Sequence, residues 1–334
     1  MKKVQTRFVS RGEELAGTLY LPGTKNPPVV VMAHGFGAAA SYGLLPFAKK
    51  FVARGMAAFV FDYRGFGKSG GEPRNWVSPR RHLWDWKAAV AHVRQHPAVD
   101  RERVALWGTS FSGGHVLVTA AKTPAVRCVV SQVPFVDGRS ALLLNNPLLV
   151  ARAIREGLRD LARAARGQEP VYIPLAGAPG SLAALNQPGC LEGFMALVPD
   201  EEKAQANRVT ARSILEVPFY RPLSFCQDVT CPTLMILAEN DNLIPARSVQ
   251  HAAAVVEKAR LVSLPVEHFD VYFGEVFEKV AKLEADFLEE HLSPKKAKAP
   301  SRKKVPAKKA SRAKKPAAGP KAAKAKGKDK APAN

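Results

Sequence analysis

A serine attacks a carbonyl only when a base takes its proton and a third group holds that base, so the chemistry to look for is a serine, a histidine and an acid that a fold can bring together. The apolar run Val104-Ala-Leu-Trp107 is followed by Gly108-Thr109-Ser110-Phe111-Ser112-Gly113-Gly114, which reads as a strand, a tight turn and small residues opening a helix. A serine at such a turn has its hydroxyl pushed out at the carboxyl edge of a sheet, and small neighbours let the turn close. Ser110 is the candidate nucleophile, a helix cap being the other use of a serine there. The usual pattern is Gly-x-Ser-x-Gly; here Ser112 holds the last position, and serine is small enough to fit.

The base and acid are expected at later strand ends. Thr233-Leu-Met-Ile-Leu-Ala238 reads as a buried strand and runs into Glu239-Asn-Asp241-Asn-Leu-Ile-Pro245. Leu261–Leu264 reads as another strand, whose following loop carries His268 and Asp270. Asp241, at the outer end of its strand before a Pro-closed turn, is the candidate acid over Glu239 and Asp270. His268 is the candidate base, alone among eight histidines in a late post-strand loop. His82, His92, His96, His251 and His291 fall on amphipathic helices and read as solvated, His115 reads as packed behind the nucleophile, and His34 as a structural hydrogen-bonder. Acyl transfer also needs donors for the developing oxyanion, and backbone N–H groups are fixed before the reaction. Val29–Ala33 runs into His34-Gly35-Phe36-Gly37, so the N–H groups of Phe36 and Phe111 form the candidate oxyanion hole.

These positions demand a scaffold of strands whose carboxyl ends share one edge. Short apolar β-branched runs alternate with helix-length amphipathic segments, which predicts an α/β fold: a mostly parallel sheet covered by helices on both faces. Predicted strands are 4–10, 14–20, 29–33, 57–62, 104–107, 128–132, 233–238 and 260–264, and predicted helices 42–54, 81–96, 111–123, 247–258 and 274–291. Residues 136–222 break the rhythm with helical sequence over 148–166, a Pro/Gly-rich passage over 173–189, further helix over 191–210 and no convincing strand, and read as a helical cap inserted over the carboxyl edge. The organisation is then core over 1–135, cap over 136–222, core over 223–292 and a Lys/Ala/Pro-rich tail over 293–334. Arg64, in Asp62–Gly70, reads as a loop anchor. Trp84 and Trp86, two apart on a helix, point to different faces, so Trp76, Trp84 and Trp86 do not all line one pocket.

The chain has 334 residues, 46% hydrophobic, which excludes a disordered or fibrous protein. Its formal net charge of +21 is unevenly spread: residues 295–334 hold 16 of the 50 Lys/Arg and one of the 29 acids, a net +15, against +6 for residues 1–294. That tail is predicted to be disordered and able to bind nucleic acid or another polyanion without reading sequence. Four scattered cysteines give neither a disulfide framework nor a CxxC site, no metal-ligand spacing is present and no cofactor is expected. With no apolar h-region after the basic N-terminus and no run of 18 apolar residues, a cytoplasmic protein without a transmembrane segment is expected.

Taken together, His34-Gly-Phe-Gly37, Phe61-Asp-Tyr-Arg-Gly-Phe-Gly-Lys-Ser-Gly70, Gly108-Thr-Ser-Phe-Ser112, Asp241-Asn-Leu-Ile-Pro245 and His268-Phe-Asp270, spread over residues 5–292, resemble the α/β-hydrolase superfamily. They are most similar to its dienelactone-hydrolase and acyl-peptidase-like branch of esterases and thioesterases. The chain order Ser110, Asp241, His268 agrees with that superfamily's order. The resemblance implies a metal-independent serine hydrolase, and the expected substrate is a small-molecule ester or thioester cleaved through an acyl-enzyme. The alternatives are a peptidase or acyltransferase on the same three residues, and a polyanion-associated protein whose tail is the functional part.

Overall fold

The computed structural model describes residues 1–293 and Gly319, so the disorder and polyanion binding expected of the tail lie outside the described residues. The chain opens with a hairpin, β1 (Lys2–Ser10) and β2 (Glu13–Leu21), turned at Arg11-Gly12, where both residues have positive φ. There follow β3 (Val29–Ala33), α1 (Leu44–Ala53), β4 (Ala57–Phe61), α2 (Pro79–Gln95), β5 (Val104–Thr109), α3 (Phe111–Ala121) and β6 (Val126–Gln132). After an insertion the pattern resumes with β9 (Thr233–Ala238), α9 (Ala246–Val255), β10 (Ala259–Leu264) and α10 (Gly274–Leu292). The eight strands pair in the order β1-β2-β4-β3-β5-β6-β9-β10. β1 and β2 run antiparallel to their neighbours, and β4 through β10 are parallel.

Burial explains this arrangement. Every residue of β3, β4, β5 and β9 is buried, as an apolar run with no polar alternation requires. On one face Val31, Phe59, Leu106 and Val129 pack against Trp86, Ala89 and Val93 of α2, Leu117 of α3 and Val249 of α9. On the other, Met32, Val60, Trp107 and Ile236 meet Phe47 and Phe51 of α1 and Ala281, Phe287 and Leu288 of α10. Helices on both faces of a mostly parallel sheet are thus observed as predicted, with strand ends within two residues of the expected positions.

The insertion holds α4 (Gly138–Leu142), α5 (Pro147–Ala164), β7 (Tyr172–Ile173), α6 (Cys190–Leu197), α7 (Lys203–Ala206), β8 (Val209–Thr210) and α8 (Ser213–Glu216). Two details correct the sequence reading. The segment does contain strand, since β7 and β8 pair antiparallel, and the single helix expected over 191–210 stops at Leu197. Val198 is extended because Pro199 disfavours helical backbone in the residue before it. The anchor of this region is a buried ion pair: Arg212 Nε and Nη2 donate to Asp160 at 2.6 and 2.8 Å, and the Val171 and Arg212 backbone N–H groups complete the carboxylate's bonding. Asp160 is thereby held below the usual carboxylate range, burial opposing the shift and the Arg212 contacts outweighing it.

Candidate active site

Ser110 is the single residue between β5, which lies inside the sheet, and α3, with φ 56° and ψ −121°. A non-glycine residue there costs of order 1–3 kcal/mol, and the surroundings enforce it. Ser110 N–H donates to the Gln132 carbonyl, and the Ser110 carbonyl accepts from Gly113 and Phe135, each at 2.9 Å. Two glycines make room: a Cβ on Gly108 would strike the Ser112 carbonyl, and one on Gly35 would lie 3.0 Å from Ser110 Cβ. Ser112 is fully buried, and its hydroxyl is 2.8 Å from Tyr63 OH, so the departure from glycine is accommodated by a specific partner.

The structure brings the three candidate side chains into one line at the carboxyl edge. His268 Nε2 is 3.1 Å from Ser110 Oγ, and His268 Nδ1 is 2.6 Å from Asp241 Oδ2. The other Asp241 oxygen accepts from the N–H groups of Leu243 and Ile244, which fixes the carboxylate in the turn after β9. An acceptor at Nδ1 sets the tautomer with Nδ1–H, leaving the Nε2 lone pair for the serine proton. Both side chains are almost wholly buried, at 4% and 3% exposure, so their interaction is little screened. The rival acids stand apart: Glu239 is exposed, and Asp270 caps the His268 turn by accepting from Glu267 N–H.

Phe36 and Phe111 lie beside Ser110, their rings edge to face at 5.3 Å, and all three residues line one cavity. Phe111 opens α3, so its N–H has no carbonyl partner within the helix, the kind of donor an oxyanion can use. The cavity, about 160 Å³, is walled on one side by the insertion, including Leu149, Ala153, Leu182 and Val217, and carries no charged side chain. Ser110 also lines a second, smaller space of about 40 Å³ with Ala38, Phe194, His268 and Tyr272.

Behind the serine lies a group that the sequence reading placed only in part. His34, hydrogen-bonded to the Gly35 carbonyl, and His115, packed behind the serine, are as expected, their basicity lowered by burial to about 4 and about 3. His82 was expected to be solvated; it is fully buried, stacked on Tyr63 at 3.9 Å with its Nδ1 beside His115. The cause is that α2 turns this face onto α3, and the periodicity could not distinguish a polar residue on the inner face from one at its edge. Arg64 is a loop anchor as read, paired with buried Asp85 and bonded to Ser10. Trp86 is buried, whereas Trp76 and Trp84 border a surface cleft with Arg80 and Arg81.

Two further contacts position the site and had no signal beyond the residue types. Tyr272, four residues after His268, is hydrogen-bonded to Thr109, the residue before Ser110. Asp62 accepts from Ala40 and Lys68 N–H groups and so ties the loop after β3 to the loop after β4. Among the described residues all four cysteines are free, and no helix is long and apolar enough to cross a membrane.

Residues 11–270 match the family described as X-Pro dipeptidyl-peptidase (S15 family). The quorum-quenching protein AidA of Acinetobacter baumannii (strain MDR-ZJ06) is 37% identical over 287 residues, 86% of this chain and 94% of that protein. The thiohydrolase aneE of Aspergillus aculeatus is 28% identical over 309 residues, 86% of this chain and 92% of its own. Among solved structures, the α/β hydrolase GrgF from Penicillium sp. sh18 superposes with a TM-score of 0.75 at 26% identity, covering 88% of this chain and all of GrgF.

Proposed function

We propose a substrate class and a mechanism for this chain, which belongs to the X-Pro dipeptidyl-peptidase (S15) family and is an enzyme of the α/β-hydrolase fold: it cleaves a carboxylic ester or thioester with an uncharged, mainly apolar acyl group. The observation that carries this reading is the line Asp241–His268–Ser110 opening onto a cavity without charged walls. Ser110 Oγ attacks the carbonyl as His268 Nε2 takes its proton, and Asp241 stabilises the imidazolium that forms. The Phe36 and Phe111 N–H groups hold the oxyanion. The tetrahedral adduct collapses to an acyl-Ser110 ester, and the His268 proton passes to the leaving alkoxide or thiolate. Water, deprotonated by His268, then releases the carboxylic acid and restores the serine.

Residues 136–222 act as the cap of this site, and the acyl chain occupies the cavity that they wall. The space beside His268, lined by Phe194 and Tyr272, receives the alcohol or thiol. Cleaving X-Pro dipeptides fits less well. Such a substrate presents a terminal ammonium two residues from the scissile bond, which calls for a carboxylate, and the residues lining the cavity include none. The thiohydrolase name of the Aspergillus relative supports the thioester arm of the proposal. Labelling with a fluorophosphonate tests it: modification of Ser110, identified by peptide mass, and its loss in His268→Ala are expected, whereas an unmodified Ser110 contradicts the mechanism.

A further inference from the structure

Helix α5 is turned inside out. Asp160 faces the protein and Glu156 is covered by Arg155 and Arg159, whereas Leu148, Ile154, Leu158 and Leu161 are exposed. Leu148 is 70% and Leu158 56% exposed, beside Leu143 at 84% on the turn after α4 and Phe219 at 81% on the segment against which α4 packs. Among the described residues, the exposed large apolar side chains outside this region are Met1, Val9 and Phe273. An amphipathic helix on a soluble body ordinarily buries its apolar stripe, so a stripe left outward marks an interaction surface. The surface also joins the site: Leu142 and Ile154 belong both to it and to the lining of the acyl cavity.

Charge selects the partner. Alongside the apolar stripe α5 exposes Arg152, Arg155 and Arg159; Glu156 pairs with Arg155 and Arg159 at 2.9 and 3.3 Å, so one acid is set against three arginines and the edge stays net positive. Pairing two copies across this face would set those arginines against each other. A helix with leucines and arginines on its free side matches instead a surface that is apolar a few ångströms below an anionic layer. We propose that the α4–α5 face docks on an anionic amphiphile surface, a bilayer or micelle with acidic headgroups, and that this seats the cavity mouth where an acyl chain can enter. The docking stands independently of catalysis; only the delivery of the chain rests on the acyl-hydrolase reading above.

The full-length chain is tested by co-sedimentation with phosphatidylglycerol vesicles and with phosphatidylcholine vesicles in 0.15 M salt. The proteins compared are wild type, Leu148→Ser with Leu158→Ser, and Arg152→Glu. None of these three residues lines the cavity, so turnover of a short, soluble ester and the circular dichroism spectrum should stay at wild-type values in both variants. Residues 295–334 are present in every protein, so a difference reports on α5. The expected result is binding to phosphatidylglycerol that falls about tenfold or more in the double variant, and a smaller fall in Arg152→Glu that is absent on phosphatidylcholine. Equal binding by wild type and both variants overturns the proposal. So does a wild-type dimer in sedimentation equilibrium that the leucine variant dissociates, since the face would then belong to a second copy. Absence of any ester turnover would remove the catalytic reading and leave the vesicle comparison to decide the docking surface alone.

Discussion

Tyr272 and Thr109 are joined hydroxyl to hydroxyl, which ties the turn carrying His268 to the residue immediately before Ser110. His268 and Ser110 follow strands at different places in the sheet, so their 3.1 Å separation depends on such cross-links rather than on chain continuity. Tyr272→Phe keeps the ring and removes the tie. Ester turnover should fall about tenfold in kcat with KM little changed, because a small misplacement of reacting groups costs rate before it costs binding. An unchanged kcat would remove Tyr272 from the positioning of His268.

Ser112→Gly restores the commoner nucleophile-turn sequence and should nevertheless destabilise the protein. Tyr63 OH accepts from Trp86 Nε1 at 2.7 Å, and Ser112 Oγ, 2.8 Å away, is the acceptor within reach of its hydrogen. Without that acceptor the buried hydroxyl keeps its bond from Trp86 but its hydrogen has no partner, at a cost of about 1–3 kcal/mol. The urea midpoint should drop accordingly, and a midpoint equal to wild type would show that Tyr63 finds another partner.

Glu284 gives a prediction in pH. It is fully buried between α10 and β5 with a hydrogen bond from Trp107 Nε1, and burial pushes its carboxyl up to about 8. The folded state therefore keeps a proton that the unfolded chain has released above about pH 4.5, so this residue lowers stability progressively as pH rises from there to about 8. Glu284→Gln keeps the acceptor for Trp107 and removes the titration. Its stability relative to wild type should grow between pH 5 and pH 8, by on the order of 3 kcal/mol; a pH-independent difference would contradict the shift.

The Asp160–Arg212 pair anchors the insertion, so Arg212→Met should cost about 3–5 kcal/mol by stranding a buried carboxylate. Limited proteolysis should then cut first within residues 165–212. The wild-type pair contributes stability above the unfolded carboxyl value and loses it as pH falls through the depressed folded value, so the variant's deficit should shrink in acid. A deficit constant from pH 7 to pH 3 would rule out the ion pair as its source.

The sheet was legible because both the strands and the helices repeat a simple burial pattern: Val29–Ala33 and Thr233–Ala238 are apolar throughout, and α10 keeps its inward stripe. Ser110, Asp241 and His268 were legible because each follows such a run, where parallel strands deliver side chains to one edge. What escaped has a common cause. His82, Tyr272, the Asp160–Arg212 pair and the Tyr63 partner of Ser112 are polar residues used inside, and a polar residue type announces exposure unless its partner, 33 to 163 positions away, is known. The insertion was misread in detail for a related reason. Its two short strands, Tyr172–Ile173 and Val209–Thr210, are too brief for periodicity, and α5 turns its apolar stripe away from the core.

Attack by Ser110 is tested by steady-state hydrolysis of p-nitrophenyl esters and acyl thioesters of increasing chain length by wild type, Ser110→Ala and Asp241→Asn. Expected are wild-type turnover that prefers uncharged acyl groups, loss of turnover in Ser110→Ala, and a fall of roughly 10²–10⁴ in kcat for Asp241→Asn with substrate binding retained. Turnover that survives in Ser110→Ala, or a wild type that hydrolyses neither class, would contradict that attack.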